Sequence, residues 1–394
     1  LDEVVDQIRG PKGTKVNLEI IPAGSASEHD TRTITIERNK VVLEEQAAKK
    51  EVIEVEHGGD TMKLGIIEIP AFYMDFNAFH RGDPDYTSTT RDVAELLVEL
   101  RKENVDGLVV DLRNNGGGSL LEVNKLVSLF INRGPTVQVR EAGGRVSVEN
   151  DQYPGMLYSG PLAVLVNRYS ASASEIFAGA MQDYGRALVI GESTFGKGTV
   201  QSIQPLNHGE LKLTLAKFYR VSGQSTQHRG VVPDIRYPSL LDSEEIGESA
   251  LPNAMPWDTI PPARYQTSSH LQPFIAQLQQ QHEARAAKDP DFIYTLARIG
   301  LDNQIKARET IPLNEEKRKQ QQEDYENRLL ELENERLTAR GEEPLTTLEE
   351  SDPLLAEVHT EDEDSDPKDD AFLLETSHIL VDLLQLEHQV ARAN

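Results

Sequence analysis

Apolar and polar positions change period several times along the chain, and each change predicts an element. Leu1, Val4, Val5 and Ile8 share one helical face, with Gly10 as a C-cap. Residues 16–20 and 31–36 alternate with period two around a Gly/Ser loop, as in a hairpin. Residues 41–72 are strand-rich, and Leu64 to Ile69 is an apolar run closed by Pro70. Val93, Leu96, Leu97 and Leu100 recur about every 3.6 residues and predict a helix over 90–103.

Gly107 to Leu112 is short, apolar and β-branched, the pattern of a parallel strand covered on both faces. Gly116, Gly117 and Gly118 follow it, and residues 120–131 read as a helix. A second such run, Leu162 to Val166, leads into three alternating serines, Ser170, Ser172 and Ser174, and then a helical pattern of Ile176, Phe177, Ala180 and Met181. A third run, Ala187 to Ile190, leads to Lys197 between Gly196 and Gly198. Residues 210–235 return to strands.

Beyond residue 240 the composition shifts. A proline-rich passage with Trp257 precedes helical segments at 271–287 and 313–339, rich in Gln, Glu, Lys and Arg. Their heptads are not sustained, which predicts a packed helical domain rather than a coiled coil. Residues 342–370 are acidic and read as a solvated loop or a disordered segment, and a last amphipathic helix is expected over 372–390.

Composition narrows the function classes. With 394 residues there is room for two or three domains. A net charge of -26 argues against nucleic acid as the main partner. Cysteine is absent, which removes a disulfide framework, a zinc finger and a thiol nucleophile. No run of eighteen apolar residues is present to span a membrane as a helix. The chain opens at Leu1 in what reads as mid-helix, so a fragment lacking its front part is expected.

Strand, sharp turn with small hydroxyl residues, helix, strand and glycine-flanked lysine is how an α/β enzyme presents a nucleophile and its base. Gly116 to Gly118 permit positive φ and leave backbone N–H groups unshielded, which suits a phosphate cradle or an oxyanion hole. Neither the GxxxxGK[ST] nor the GxGxxG spacing is present. Any of Ser170, Ser172 and Ser174 fits the nucleophile. As its base, His57, His80, His208 and His228 lie in polar or glycine-rich surroundings typical of surface loops. Lys197 follows an apolar strand, where full burial lowers a lysine pKa by as much as ~3–5 units and frees neutral amine. By composition alone Lys197 reads as an ordinary loop lysine.

DLRNNGGG, SASASE, QDYGRA and GESTFGKGTVQ, in that order, closely resemble the C-terminal processing peptidases, or tail-specific proteases. The likeness extends over KFYRVSGQSTQHRGVVPDI and the charged helical C-terminal region of the long periplasmic form. The front of the chain resembles the back half of a PDZ domain. The resemblance implies an α/β (α+β) multidomain protein with a partial PDZ-like module at 1–40, a crotonase/ClpP-like protease core at 41–240, and a linker and helical domain at 241–394.

It further implies a serine endopeptidase with a Ser-Lys dyad and no metal or organic cofactor. The family's nucleophile precedes its lysine by 25 positions, which selects Ser172 for Lys197. Gln201 matches a glutamine that orients the lysine amine, and the Gly118 and Ala173 amides match the oxyanion donors. Asp183 matches an acidic residue near the site and is expected to be structural, with Arg186 as its partner. Ser170 and Ser174 then become turn and cap residues, Ser174 the N-cap. Val5 and Ile8 are implied groove contacts for apolar C-terminal tails. Implied partners are envelope proteins in the periplasm and a lipoprotein adaptor. Competing readings are a catalytically dormant peptide-binding scaffold, which the intact Ser172, Lys197 and Gln201 oppose, and an acyl-CoA enzyme of the crotonase type.

Overall fold

The computed structural model describes residues 7–8, 10–11, 13–21, 31–38, 47–57, 59–150, 155–241, 245–348 and 369–393. The chain divides into two units, residues 1–46 and 47–394.

In the first unit, β1 (Lys15–Ile20) pairs antiparallel with β2 (Arg32–Glu37), the expected hairpin. Of the expected helix, residues 7 and 8 are helical, while Leu1, Val4 and Val5 lie outside the described residues. The Arg38 guanidinium donates to the carbonyls of Ile8 (2.7 Å) and Gln7 (3.2 Å) and to Thr14 and Lys15, fastening this turn to the hairpin. Left-handed backbone occurs at Gly13 (φ 83°) rather than at Gly10, the expected cap.

The second unit runs, in order, through β3 (Lys49–His57), β4 (Asp60–Glu68), α1 (Phe76–His80), α2 (Thr89–Lys102), β5 (Gly107–Asp111), α3 (Leu120–Ser128), β6 (Pro135–Glu141) and β7 (Val146–Asn150). It continues through β8 (Leu162–Val166), α4 (Ala173–Asp183), β9 (Leu188–Gly191), β10 (Thr199–Pro205), β11 (Glu210–Tyr219) and β12 (Ile235–Arg236). Helices α5 (Gln272–Ala286), α6 (Pro290–Lys306), α7 (Glu315–Arg340) and α8 (Ala371–Ala393) complete it.

Six strands form one sheet in the order β12-β9-β8-β5-β4-β3, parallel throughout except for the antiparallel edge strand β3. Strand alternation sends Leu108 and Val110 to one face and Val109 to the other, and both faces are buried. This is why these strands read as continuous apolar runs. On one face they meet Leu97 of α2, Val123 of α3 and Phe177 of α4. The other face is covered by α5 and α8, through Leu278, Leu380 and Leu384. The helical region after residue 240 therefore shares a core with the sheet. Residues 349–368, most of the expected acidic loop, lie outside the described residues.

A second, antiparallel sheet has the order β10-β11-β6-β7. The sequence reading did not resolve β6, β7, β10 or α6. The helix expected over 120–131 stops at Ser128, and Phe130 and Ile131 are buried in the core beyond it. Parallel pairing brings the carboxyl ends of β5, β8 and β9 to one edge of the sheet, where the loops after them meet.

Candidate active site

Ser172 stands at the tightest point of the loop after β8, with φ 58° and ψ −109°. A non-glycine residue there is strained and stays only where its surroundings hold it. It is Ser172, and not Ser174, that N-caps α4. The Ser174 hydroxyl is fully buried inside the helix and donates to the Asn115 carbonyl at 2.8 Å. The Ser170 hydroxyl, equally buried, donates to the Leu112 carbonyl at 2.8 Å and accepts from the Asn167 amide. These two serines staple the turn to the glycine loop. The half-buried Ser172 hydroxyl donates to none of the described residues.

The glycine loop is shaped by Asn115, which is fully buried. Its side chain accepts the Gly117 amide at 2.8 Å and donates to the Ile69 carbonyl at 2.7 Å, while its carbonyl accepts the Ala171 amide at 2.9 Å. Gly117 (φ 104°) lies so close that a methyl group in place of its hydrogen would stand 2.8 Å from Ser172 Cβ. At Gly118 (φ 145°) a methyl group would stand 2.2 Å from the Phe72 carbonyl oxygen.

Phe72 donates to the Gly117 carbonyl (3.0 Å) and accepts from the Ser119 amide (2.8 Å), a parallel bridge that straddles Gly118. In that pattern the N–H of Gly118 itself points away from Phe72. Ala173 is the first residue of α4, where amides lack intrahelical acceptors. Neither amide donates to a described residue. Both are therefore available to a developing oxyanion.

A single carboxylate joins the serine turn to the lysine loop. Glu175 Oε2 accepts the amides of Ser172 (2.8 Å) and Lys197 (2.9 Å). Its Oε1 accepts the Thr194 hydroxyl (2.6 Å) and the Gly196 amide (2.8 Å). Burial pushes this carboxyl up to about 7, against four hydrogen bonds that favour its ionised form. The Thr194 oxygen itself accepts the Val231 amide at 2.7 Å, so its proton goes to Glu175. All four partners are donors, and the set fits a carboxylate.

For Lys197, burial and then the Lys212 charge push the pKa below the ordinary lysine value, while Glu248 and Glu175 pull it back up. The loop is clamped from its other side as well. The Gly198 amide donates to Gln227 Oε1 at 2.8 Å, Gln227 donates to Glu248, and the His228 amide donates to the Gly196 carbonyl.

Among the described residues Gln201 makes no hydrogen bond to the lysine amine. It is exposed on β10, past a bulge after Val200, and its amide donates to the Thr214 hydroxyl at 3.3 Å. Asp183 has a structural partner, but this is Arg220 rather than Arg186. Asp183 accepts from Arg220 Nε at 3.1 Å and from the Ser222 hydroxyl at 2.9 Å. Arg186 is spent on the carbonyls of Phe130, Tyr158 and Gly160. None of His57, His80, His208 and His228 hydrogen-bonds Ser172 among the described residues. In the other unit Ile8 is half-buried, and Val5 lies outside the described residues. The sequence reading missed Asn115 and Glu175. Glu175 carried a usable signal, the S-x-x-E spacing of a capping box begun at Ser172.

Residues 63–237 match the model of peptidase family S41, and residues 241–385 match that of the C-terminal domain of tail specific protease. The tail-specific protease of Haemophilus influenzae is 41% identical over 362 residues, covering 89% of this chain and 49% of that protein. The carboxy-terminal-processing protease of Bartonella bacilliformis is 34% identical over 237 residues, covering 60% of this chain and 50% of that protein. A solved photosystem II D1 C-terminal processing protease is 30% identical with a TM-score of 0.42, covering 61% of this chain and 59% of that one. The chain spans about half the length of these curated relatives.

Proposed function

The chain belongs to the tail-specific, C-terminal processing serine proteases of peptidase family S41, and we propose that it is a serine endopeptidase working through a Ser172–Lys197 dyad. Neutral Lys197 takes the Ser172 hydroxyl proton as that oxygen attacks the scissile carbonyl. The Gly118 and Ala173 amides receive the oxyanion of the tetrahedral intermediate. Its collapse expels the amine, which takes the proton from Lys197, and leaves an acyl-Ser172. Water then gives a proton to Lys197 and attacks the ester, and collapse of the second tetrahedral intermediate returns that proton from Lys197 to the Ser172 oxygen and releases the acid. Glu175 holds both loops in register, and Asp183 with Arg220 supports the end of α4.

One observation carries this reading. Of the three serines on the turn, Ser172 alone keeps a hydroxyl that donates to nothing described, beside two amides that also donate to nothing.

The domain layout proposed is a PDZ-like part at 1–40, the protease core at 41–240 and the helical region at 241–394. The first part, with Val5 and Ile8, is assigned to capturing apolar C-terminal tails. Envelope proteins of the periplasm are the proposed substrates, and a lipoprotein is the proposed adaptor. Gln201 is proposed to orient the Lys197 amine, although its side-chain amide donates to Thr214. That bond favours a second reading, a dormant peptide-binding scaffold.

Incubating a denatured substrate bearing an apolar C-terminus with this chain and with Ser172→Ala separates the two. Mass spectrometry detecting cleavage by the parent alone supports the protease. Binding of the tail by both proteins with cleavage by neither supports the scaffold. An amidated terminus then tests tail capture.

A further inference from the structure

Asp370 precedes α8 and lies 257 positions after Arg113 in the chain, yet its Oδ2 accepts the Arg113 guanidinium at 2.5 Å. We propose that Asp370 is a positioning residue for the oxyanion donors, through which α8 holds the root of the glycine loop. The proposal rests on the function assigned above and adds a residue from the C-terminal region to that site.

Arg113 is the second residue after β5. Its Nε and Nη2 grip Asp111, at 3.0 Å and 2.6 Å to Oδ2. Asp111 also accepts the Arg113 amide at 2.9 Å. That pair is local and by itself fixes Arg113 only to its own strand end. Asp370 supplies the long-range anchor. Its other oxygen accepts the Leu373 amide at 2.9 Å, so one carboxylate caps α8 and holds Arg113. Helix α8 is in turn fixed on the sheet by Ile379, Leu380, Val381 and Leu383, all buried to 1% exposure or less.

Beyond Arg113 the chain turns through Asn114 (φ 59°), which exchanges hydrogen bonds with Asn167 at the root of the serine turn. Asn115 follows and shapes Gly117 and Gly118. An Arg113 stripped of its anchor leaves a partly buried charge undercompensated, and a guanidinium in that state moves toward water. The oxyanion donor Gly118 lies five residues further along this loop. Burial raises the Asp370 carboxyl, but the Arg113 charge and the hydrogen bonds from Arg113 and the α8 amides outweigh it and hold the group below the ordinary carboxylate range.

Asp370→Asn separates the two duties of this side chain, because asparagine caps a helix about as well as aspartate but carries no charge. In the full chain the expected result is a fall in kcat of about tenfold or more with KM within about twofold. Hydrogen exchange should quicken over residues 111–119 and not over α8. Asp369→Asn, at an exposed neighbour, is the control and should match the parent. With Arg113→Gln already present, Asp370→Asn should cost nothing further.

Unchanged kcat and unchanged exchange over 111–119 overturn the proposal. So does a loss of kcat accompanied by faster exchange throughout the unit, which marks a merely structural role. If the parent itself cleaves no substrate, the functional reading fails, and exchange over 111–119 still decides the part played by Asp370.

Discussion

The backbone amides of Ser172 and Lys197 donate to one atom, Glu175 Oε2, at 2.8 and 2.9 Å. The proposed nucleophile and base sit on different loops, and this buried carboxylate sets their register. Glu175→Gln should be far more damaging than its size suggests. An amide keeps one accepting oxygen and turns two N–H donors against two existing donors. A loss of about 3 kcal/mol in stability is expected, with turnover reduced at least about a hundredfold. Urea denaturation and peptide cleavage measure the two, and near-parental values in both would refute the role given to Glu175.

The same carboxylate predicts opposite pH trends for stability and activity. Burial raises it from an ordinary 4.5 to about 7, so the folded chain binds this proton more tightly than the unfolded one. Its contribution to stability is full below about 4.5 and is lost as pH rises through about 7. The ionised Glu175 is the form that accepts all four donors, so its titration should make kcat rise as pH passes through about 7. Melting temperature against pH should show the declining component in the parent and lose it in Glu175→Gln.

Lys197→Arg should be inactive at every accessible pH, since guanidinium does not give up its proton in water. Lysine's lowered pKa comes first from burial, so a charge of either sign changes it only at second order. A single-turnover assay that finds acyl-enzyme in the arginine variant would remove Lys197 as the base.

The three serines should separate by mutation. Ser172→Ala is expected to abolish turnover at a cost of about 1 kcal/mol for the lost N-cap of α4. Ser170→Ala and Ser174→Ala each remove a fully buried hydroxyl from a carbonyl that keeps one backbone donor, and should cost about 1 kcal/mol while retaining measurable turnover. Thermal melts paired with cleavage rates test the division.

The glycines of the loop should separate as well. Gly116→Ala meets nothing within 4 Å and should be tolerated. Gly117→Ala and Gly118→Ala place a methyl group 2.8 Å from Ser172 Cβ and 2.2 Å from the Phe72 carbonyl oxygen, both at positive φ. Each should lower kcat by about a hundredfold or more, because a displacement of about 1 Å at reacting groups costs that much. Equal activity across all three variants would contradict the loop geometry.

Local sequence determined much of this protein. Leu162 to Val166 forms the strand its β-branched apolar run predicts, and the glycine run and alternating serines fall where a turn at the carboxyl end of a strand needs them. Those features are legible because propensity, period and positive-φ tolerance act over a few residues. Which serine keeps a hydroxyl that donates to no described residue, which arginine meets Asp183 and where the Gln201 amide goes were decided only by tertiary structure. Ser170 and Ser174 are occupied by carbonyls 58 and 59 positions away, and Asp183 reaches past nearby Arg186 to Arg220 at 37. A hydrogen bond is chosen by what packing brings within about 3 Å, and a window of sequence does not contain that partner.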